Sequence, residues 1–216
     1  MGLNQKLIAI DFYDIKNVED YPEKICLLNC NSLNPIENGQ KVLNCVDIAH
    51  FENIKELQGY FEEKYDIKNN EFIQVSNEDI NYLINICNRF LQYFSKSFIQ
   101  EAEDYNRNLS LYEYAKKYKP RYLDDLNKKD TDIIDKINNM FFFDLTERFR
   151  VIVNENKECH QIAREILPIN GDLTHMDDRL TIYYLSKILI IKTVFEVAKK
   201  YLISANNKKL YYHYWY

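Results

Sequence analysis

Three short apolar runs near the start of the chain, LIAIDFY, KICLLNC and KVLNCVDI, lean towards strand and are separated by turn-forming text such as NSLNPIENG. They predict a small sheet or hairpin in residues 1–48. Beyond that point the apolar positions take up helical spacing. His50 to Tyr65 carries Phe51, Ile54, Leu57, Tyr60 and Phe61, and Asn69 and Asn70 punctuate its end. Next, Ile80, Leu83, Ile84, Cys87, Phe90, Leu91, Phe94 and Phe98 form one stripe, which predicts a single helix of about six turns capped by Asn77. Residues 106–130 are polar and rich in Tyr and Lys, and Pro120 stops any helix begun near Ser110.

Thr131 opens a further helical stretch through Ile133, Ile134, Ile137, Met140 and Phe141. Asp144 and Glu147 have the spacing of a second cap before Phe149 and Ile152, so two helices or one kinked helix both fit. A short helix with Cys159, Ile162, Ala163 and Ile166 ends at Pro168 and the turn text INGD. The last long apolar segment, Leu180 to Ile203, is interrupted by Lys187, Lys192 and Glu196, which a lone spanning helix tolerates poorly, so a buried helix is expected. The expected fold is therefore mainly α: a helical bundle over residues 49–216 behind a small β-rich segment at 1–48.

Composition narrows the classes. The 216 residues suffice for one good-sized core without staples, and four Gly and four Pro are too few breakers for a many-stranded sandwich. A net charge of −5 argues against a surface that grips duplex DNA throughout and restricts any nucleic-acid site to a local basic patch. The odd cysteine count, five, and a start without a basic region followed by a long apolar stretch lead us to expect reduced thiols, a cytoplasmic location and no membrane span. Cys26, Cys30 and Cys45 lack a second close pair, and His160, His175, Asp177 and Asp178 do not have recognised ligand spacing, so no metal and no cofactor is expected.

Two stretches carry candidate chemistry. In PINGDLTHMDDRL, Thr174 and Asp177 have capping-box spacing, which puts His175 in a first helical turn beside N–H groups that favour an anion and a neutral imidazole. Such a His suits acid–base work on a phosphodiester, and Arg179, four residues on, lies on the same face. The plainer reading is that His175, Asp177 and Asp178 decorate a cap. The second stretch interleaves Tyr112, Tyr114, Tyr118 and Tyr122 with Lys116, Lys117, Lys119 and Arg121, a mixture that stacks bases and tracks a single-stranded backbone. Its plainer reading is a solvated amphipathic helix with the Tyr rings laid on the bundle. The C-terminal LYYHYWY holds five large aromatics that would be a costly exposed patch, so it is expected to dock on the protein itself or on a second subunit.

The stretch REILPINGDLTHMDDRLTIYYLSKILIIKTVFEVAKKYL resembles the closing part of an ApeA-like HEPN domain, in which a short helix leads to an Arg-Asn-x-x-x-His turn and then a long apolar helix. NICNRFLQYFSKSFIQEAEDY resembles that family's first core helix and FFFDLTERFRVIV the helix before the short one, so the likeness covers roughly residues 50 to 205. The resemblance implies a helical bundle, often dimeric, and in active members a metal-independent endoribonuclease of toxin or antiviral-defence systems. It places His175 at the motif His, a proton-transfer group. At the motif Arg stands Asn170, and at the following Asn stands Gly171. Asn170 donates a hydrogen bond but no positive charge, a loss of about 100-fold or more in rate. Arg179 or Arg164 is the candidate replacement.

The expectation is thus a HEPN-like, RNA-directed protein of a bacterial defence or toxin–antitoxin system, acting as a weakened endoribonuclease or a catalytically dead relative, and forming a homodimer or binding a partner protein. The alternative is a non-enzymatic interaction module, such as an inhibitor encoded by a mobile element or phage.

Overall fold

The computed structural model describes residues 3–11, 44–66, 72–107, 111–122, 131–166, 180–203 and 208–215. They are mainly helical, with one four-stranded antiparallel sheet. The chain divides into two compact units, Met1–Ile86 with Ile166–Pro168 and Ile191–Tyr216, and Cys87–Glu165 with Ile169–Ile190.

The first unit holds the sheet. Strands β1 (Asn4–Asp11), β2 (Asn44–Glu52), β3 (Phe72–Val75) and β4 (Lys208–Trp215) lie in the order β2-β1-β4-β3. Strands at 4–11 and 44–52 agree with two of the three predicted runs; KICLLNC lies outside the described residues. The sheet draws on both sides of the expected boundary at residue 48, because β4 pairs with β1 in a register that sets Lys6 opposite His213 and Leu7 opposite Tyr212. The aromatic tail is therefore a central strand, flanked by β1 and β3. Strand alternation buries Leu210, Tyr212 and Tyr214 on one face, and Tyr212 stacks on Phe61 with ring centroids 4.3 Å apart.

Helix α1 (Lys55–Tyr65) starts five residues later than the periodicity suggested, because His50 to Glu52 continue β2. The turn between them is made by Asn53, whose φ of 58° is one that Asn tolerates. Its Oδ1 accepts from the Leu3 N–H at 3.2 Å, and its own N–H donates to the Leu3 carbonyl at 2.8 Å. Gln5 is fully buried and satisfied. Its amide donates to the Ile54 carbonyl and the Tyr212 hydroxyl oxygen and accepts from the Ile54 N–H, so β1 is tied both to the start of α1 and to β4.

Helix α2 (Asn77–Leu91) is capped by Ser76 instead of Asn77. The Ser76 hydroxyl accepts from the Asp79 N–H at 3.1 Å, and the Asp79 carboxylate accepts from the Ser76 N–H at 2.7 Å, a reciprocal capping box. Asp79 also accepts from the Tyr60 hydroxyl, the Lys64 ammonium, the Tyr65 hydroxyl and the Ser76 hydroxyl.

The second unit contains the end of α2, helices α3 (Lys96–Asn106), α4 (Leu111–Tyr118), α5 (Thr131–Glu155) and α6 (Lys157–Ile166, to Glu165), and the first part of α7 (Ile182–Ile203). The long stripe expected from residue 80 to 98 is not one helix. At the end of α2 the bonding tightens to i−3, with Tyr93 N–H on the Phe90 carbonyl and Phe94 N–H on that of Leu91. Ser95 then starts α3 by accepting from the Phe98 N–H at 3.1 Å. The apolar stripe survives the break: Phe90, Phe94 and Phe98 are all buried, in successive ring contact.

Helix α5 is continuous, with Asp144 inside it instead of at a cap. Ile137, Phe141, Leu145, Phe149 and Val153 are buried at four-residue steps, whereas Met140, expected among the apolar positions, faces out. Cys159, Ile162 and Ala163 are buried on α6, as their spacing predicted. Among the described residues no helix is long and apolar enough to cross a membrane.

Candidate functional site

Asn170, Gly171, His175, Asp177, Asp178 and Arg179 lie outside the described residues. What the structure describes is the frame on either side, within the second unit. The Tyr184 hydroxyl, buried in the first turn of α7, donates to the Ala163 carbonyl of α6 at 3.2 Å. The Arg150 guanidinium, from α5, donates through Nε to the Leu180 carbonyl at 3.3 Å. The start of α7 is therefore bonded to both preceding helices. Arg164 is exposed on α6, and His160 is half-buried on the same helix, where its backbone N–H donates to the Asn156 carbonyl.

Part of the basic, Tyr-rich stretch folds as a helix and a following turn. Helix α4 carries Lys116, Lys117 and Tyr118; Lys119 follows, and Pro120–Tyr122 form a 3-10 turn containing Arg121. Pro120 ends the helix as expected, since its ring and missing N–H stop the ladder. Tyr114 and Ala115 hold α4 down. The Tyr114 ring is buried against those of Tyr105, Tyr118 and Phe141.

The cations of this arm are not all directed at solvent. Lys117 and Tyr118 both donate to one oxygen of Asp104 on α3, while Gln100 donates to the other at 2.9 Å. The Lys117 ammonium and then the Tyr118 hydroxyl hold the Asp104 carboxyl down at about 2, and Asp104 in turn raises the Lys117 ammonium. Lys119 pairs with Asp144 on α5. Asp144 is also 3.7 Å from Arg148, which donates to both oxygens of Glu101 at 3.2 and 3.0 Å and lies 5.0 Å over the Phe98 ring. Glu101 accepts from the Tyr114 hydroxyl at 3.2 Å as well, and burial followed by the Glu101 charge pushes that phenol up. Lys116 and Arg121 are exposed.

Three cations, Lys117, Lys119 and Arg148, thus meet three carboxylates, Glu101, Asp104 and Asp144, across α3, α4 and α5. Sequence reasoning singled out the arm but missed its acids. The only local signals were the i,i+3 spacing of Glu101 with Asp104 and the i,i+4 spacing of Asp144 with Arg148.

Two further surfaces are chemically distinctive. On the sheet face opposite Tyr212, Phe72, His213, Trp215 and His50 form a row of stacked rings with centroids 4.1, 5.0 and 5.9 Å apart, and Lys6 lies 5.8 Å over Trp215 while pairing with Asp47. In the second unit, Phe143 on α5 is 66% exposed and touches Phe142, which contacts Tyr183 on α7, itself 52% exposed.

Among the described residues no group of three or more His, Cys, Asp or Glu side chains is placed to hold a metal ion. No protein-family model, curated protein or solved structure matches the chain.

Proposed function

We propose that the chain is a HEPN-like, RNA-directed protein of a bacterial defence or toxin–antitoxin system, with His175 at the centre of a weakened, metal-independent endoribonuclease site or of its catalytically silent remnant. The observation that supports this reading is the order of the last three helices among the described residues. A long helix (Thr131–Glu155) is followed directly by a short one (Lys157–Ile166) and, after the stretch that bears His175, by a second long helix (Ile182–Ile203). That is the order the resemblance calls for.

The chemistry such a site performs is transesterification. His175 takes the proton of a ribose 2′-OH or gives one to the leaving 5′-oxygen, and the 2′-oxygen attacks phosphorus to leave a cyclic phosphate. Asn170 donates a neutral hydrogen bond to the developing charge, and Arg179 supplies the cation. The test is incubation of total cellular RNA with purified protein in EDTA. Wild type is expected to cut, His175→Ala to lose cutting, and Arg179→Ala to lose about 100-fold. Cutting by His175→Ala equal to wild type retires the enzyme form.

A second reading, a non-enzymatic interaction module or inhibitor, is favoured by the joined, exposed Phe143 and Tyr183, a pair of large aromatics of the kind that anchors protein interfaces. A tight protein partner lost on Phe143→Ala, together with no affinity for RNA, decides for it.

A further inference from the structure

We propose that the α4 arm is an RNA-binding element restrained by the protein's own acids: Asp104 and Asp144 occupy Lys117 and Lys119 as internal stand-ins for phosphate, and single-stranded RNA competes for the same cations. The inference rests on the RNA-directed reading above and gives that reading a binding surface and a control.

A carboxylate and a phosphate oxygen make the same demand on an ammonium, a short charge-assisted hydrogen bond. The arm carries Lys116, Lys117, Lys119 and Arg121 within six residues, with Tyr118 among them. Without the acids this is a compact cationic, aromatic strip suited to a single strand. With them, two of its lysines and the Tyr118 hydroxyl are engaged by α3 and α5.

The network has a structural layer and an exchangeable one. Glu101 and Tyr114 are buried beneath, and Arg148 reaches both Glu101 oxygens through one terminal nitrogen. In the upper pairs one partner faces solvent and the other is mostly covered: Lys117 is 54% exposed against 11% for Asp104, and Asp144 is 38% exposed against 15% for Lys119. The exposed Lys117 ammonium is the cation a phosphate reaches first, and α4 stays seated on the buried Tyr114 and Ala115 when that ammonium turns from Asp104 to phosphate. The acids also explain how a cationic strip is carried without indiscriminate attachment to nucleic acid, since their charge repels a weakly held phosphate backbone.

The test is fluorescence anisotropy of labelled oligouridine with the full chain at low salt, comparing wild type, Asp104→Asn, Asp144→Asn and the double variant. Asp135→Asn is the control, because Asp135 is an exposed acid on α5 about 13 Å along the helix from Asp144. Asn keeps an acceptor oxygen for Tyr118, and thermal melts verify folding; should Asp104→Asn fail to fold, Asp144→Asn decides alone.

The double variant is expected to bind at least about fivefold tighter than wild type, with a salt slope steeper by about 0.7 for each released lysine. Adding Lys117→Gln and Lys119→Gln is expected to remove the gain. A gain from Asp135→Asn equal to that of the double variant overturns the proposal, because bulk charge then suffices. If wild type binds and the double variant binds no tighter, the restraint is refuted while the RNA-directed reading stands. Absence of binding by every variant, with fold intact, refutes the arm as an RNA element as well.

Discussion

Asp79 accepts five hydrogen bonds while its side chain is fully withdrawn from solvent, from Tyr60, Lys64, Tyr65 and both the N–H and hydroxyl of Ser76. Burial by itself would raise its carboxyl, but the donors outweigh burial and hold it well below the usual range. Replacing it with Ala orphans the Ser76 N–H and two phenols together, and is expected to cost about 3 kcal/mol, read as a lower urea midpoint at unchanged m-value. A change below about 0.5 kcal/mol would show that the node is ornamental.

Asp104 gives a second residue-scale prediction. Its folded value, about 2, lies below the ordinary 3.8, so between these pH values the folded state binds fewer protons than the unfolded chain. Its contribution is whole above about pH 4 and is lost as pH falls through about 2. Asp104→Asn should therefore lower the urea midpoint at neutral pH, shrink the fall across that window and converge on wild type below it. An acid limb as steep as that of wild type would contradict the pairing.

Among the elements, α3 depends on Ser95 for its start. Ser95→Ala is expected to lower stability by about 1 kcal/mol, measurable in the thermal midpoint, whereas Asn77→Ala at the position first read as a cap should lose only a few tenths. The periodic helices were legible because burial imposes their spacing: Ile80, Leu83 and Cys87 on α2 and Cys159, Ile162 and Ala163 on α6 are buried where the apolar pattern put them. Boundaries were not. Phe90, Phe94 and Phe98 keep one stripe through a change of helix, so hydrophobic periodicity could not reveal the break at Ser95. Strands β3 and β4 were not read as strands, since a four-residue run and an aromatic tail show pairing only through partners far away in sequence. The arm at Lys116–Arg121 was visible as composition, but its meaning changed with Asp104 and Asp144, which no local rule connects to it. The residues nearest the candidate chemistry, Asn170 and His175, lie outside the described residues.

For the whole molecule, the chain passes from the first unit to the second within α2, touches the first again at Ile166–Pro168 and returns to it within α7. Unit one is completed by β4, whose removal would strip β1 and β3 of their shared neighbour and leave two bare edges. A chain ending after Ile203 is accordingly expected to be recovered largely aggregated, while one lacking only Tyr216 stays in solution; light scattering of the two preparations checks this.

The pairing of β1 with β4 also has a meaning in time. Gln5 and Tyr212, which share a hydrogen bond, are 207 residues apart, so the contact closes a very long loop. While the polypeptide is being synthesised, β1 emerges early and waits for a neighbour that has not yet been made. The unit that contains the earliest residues is therefore the later of the two to be finished, and through that interval its open strand is a template for the wrong partner.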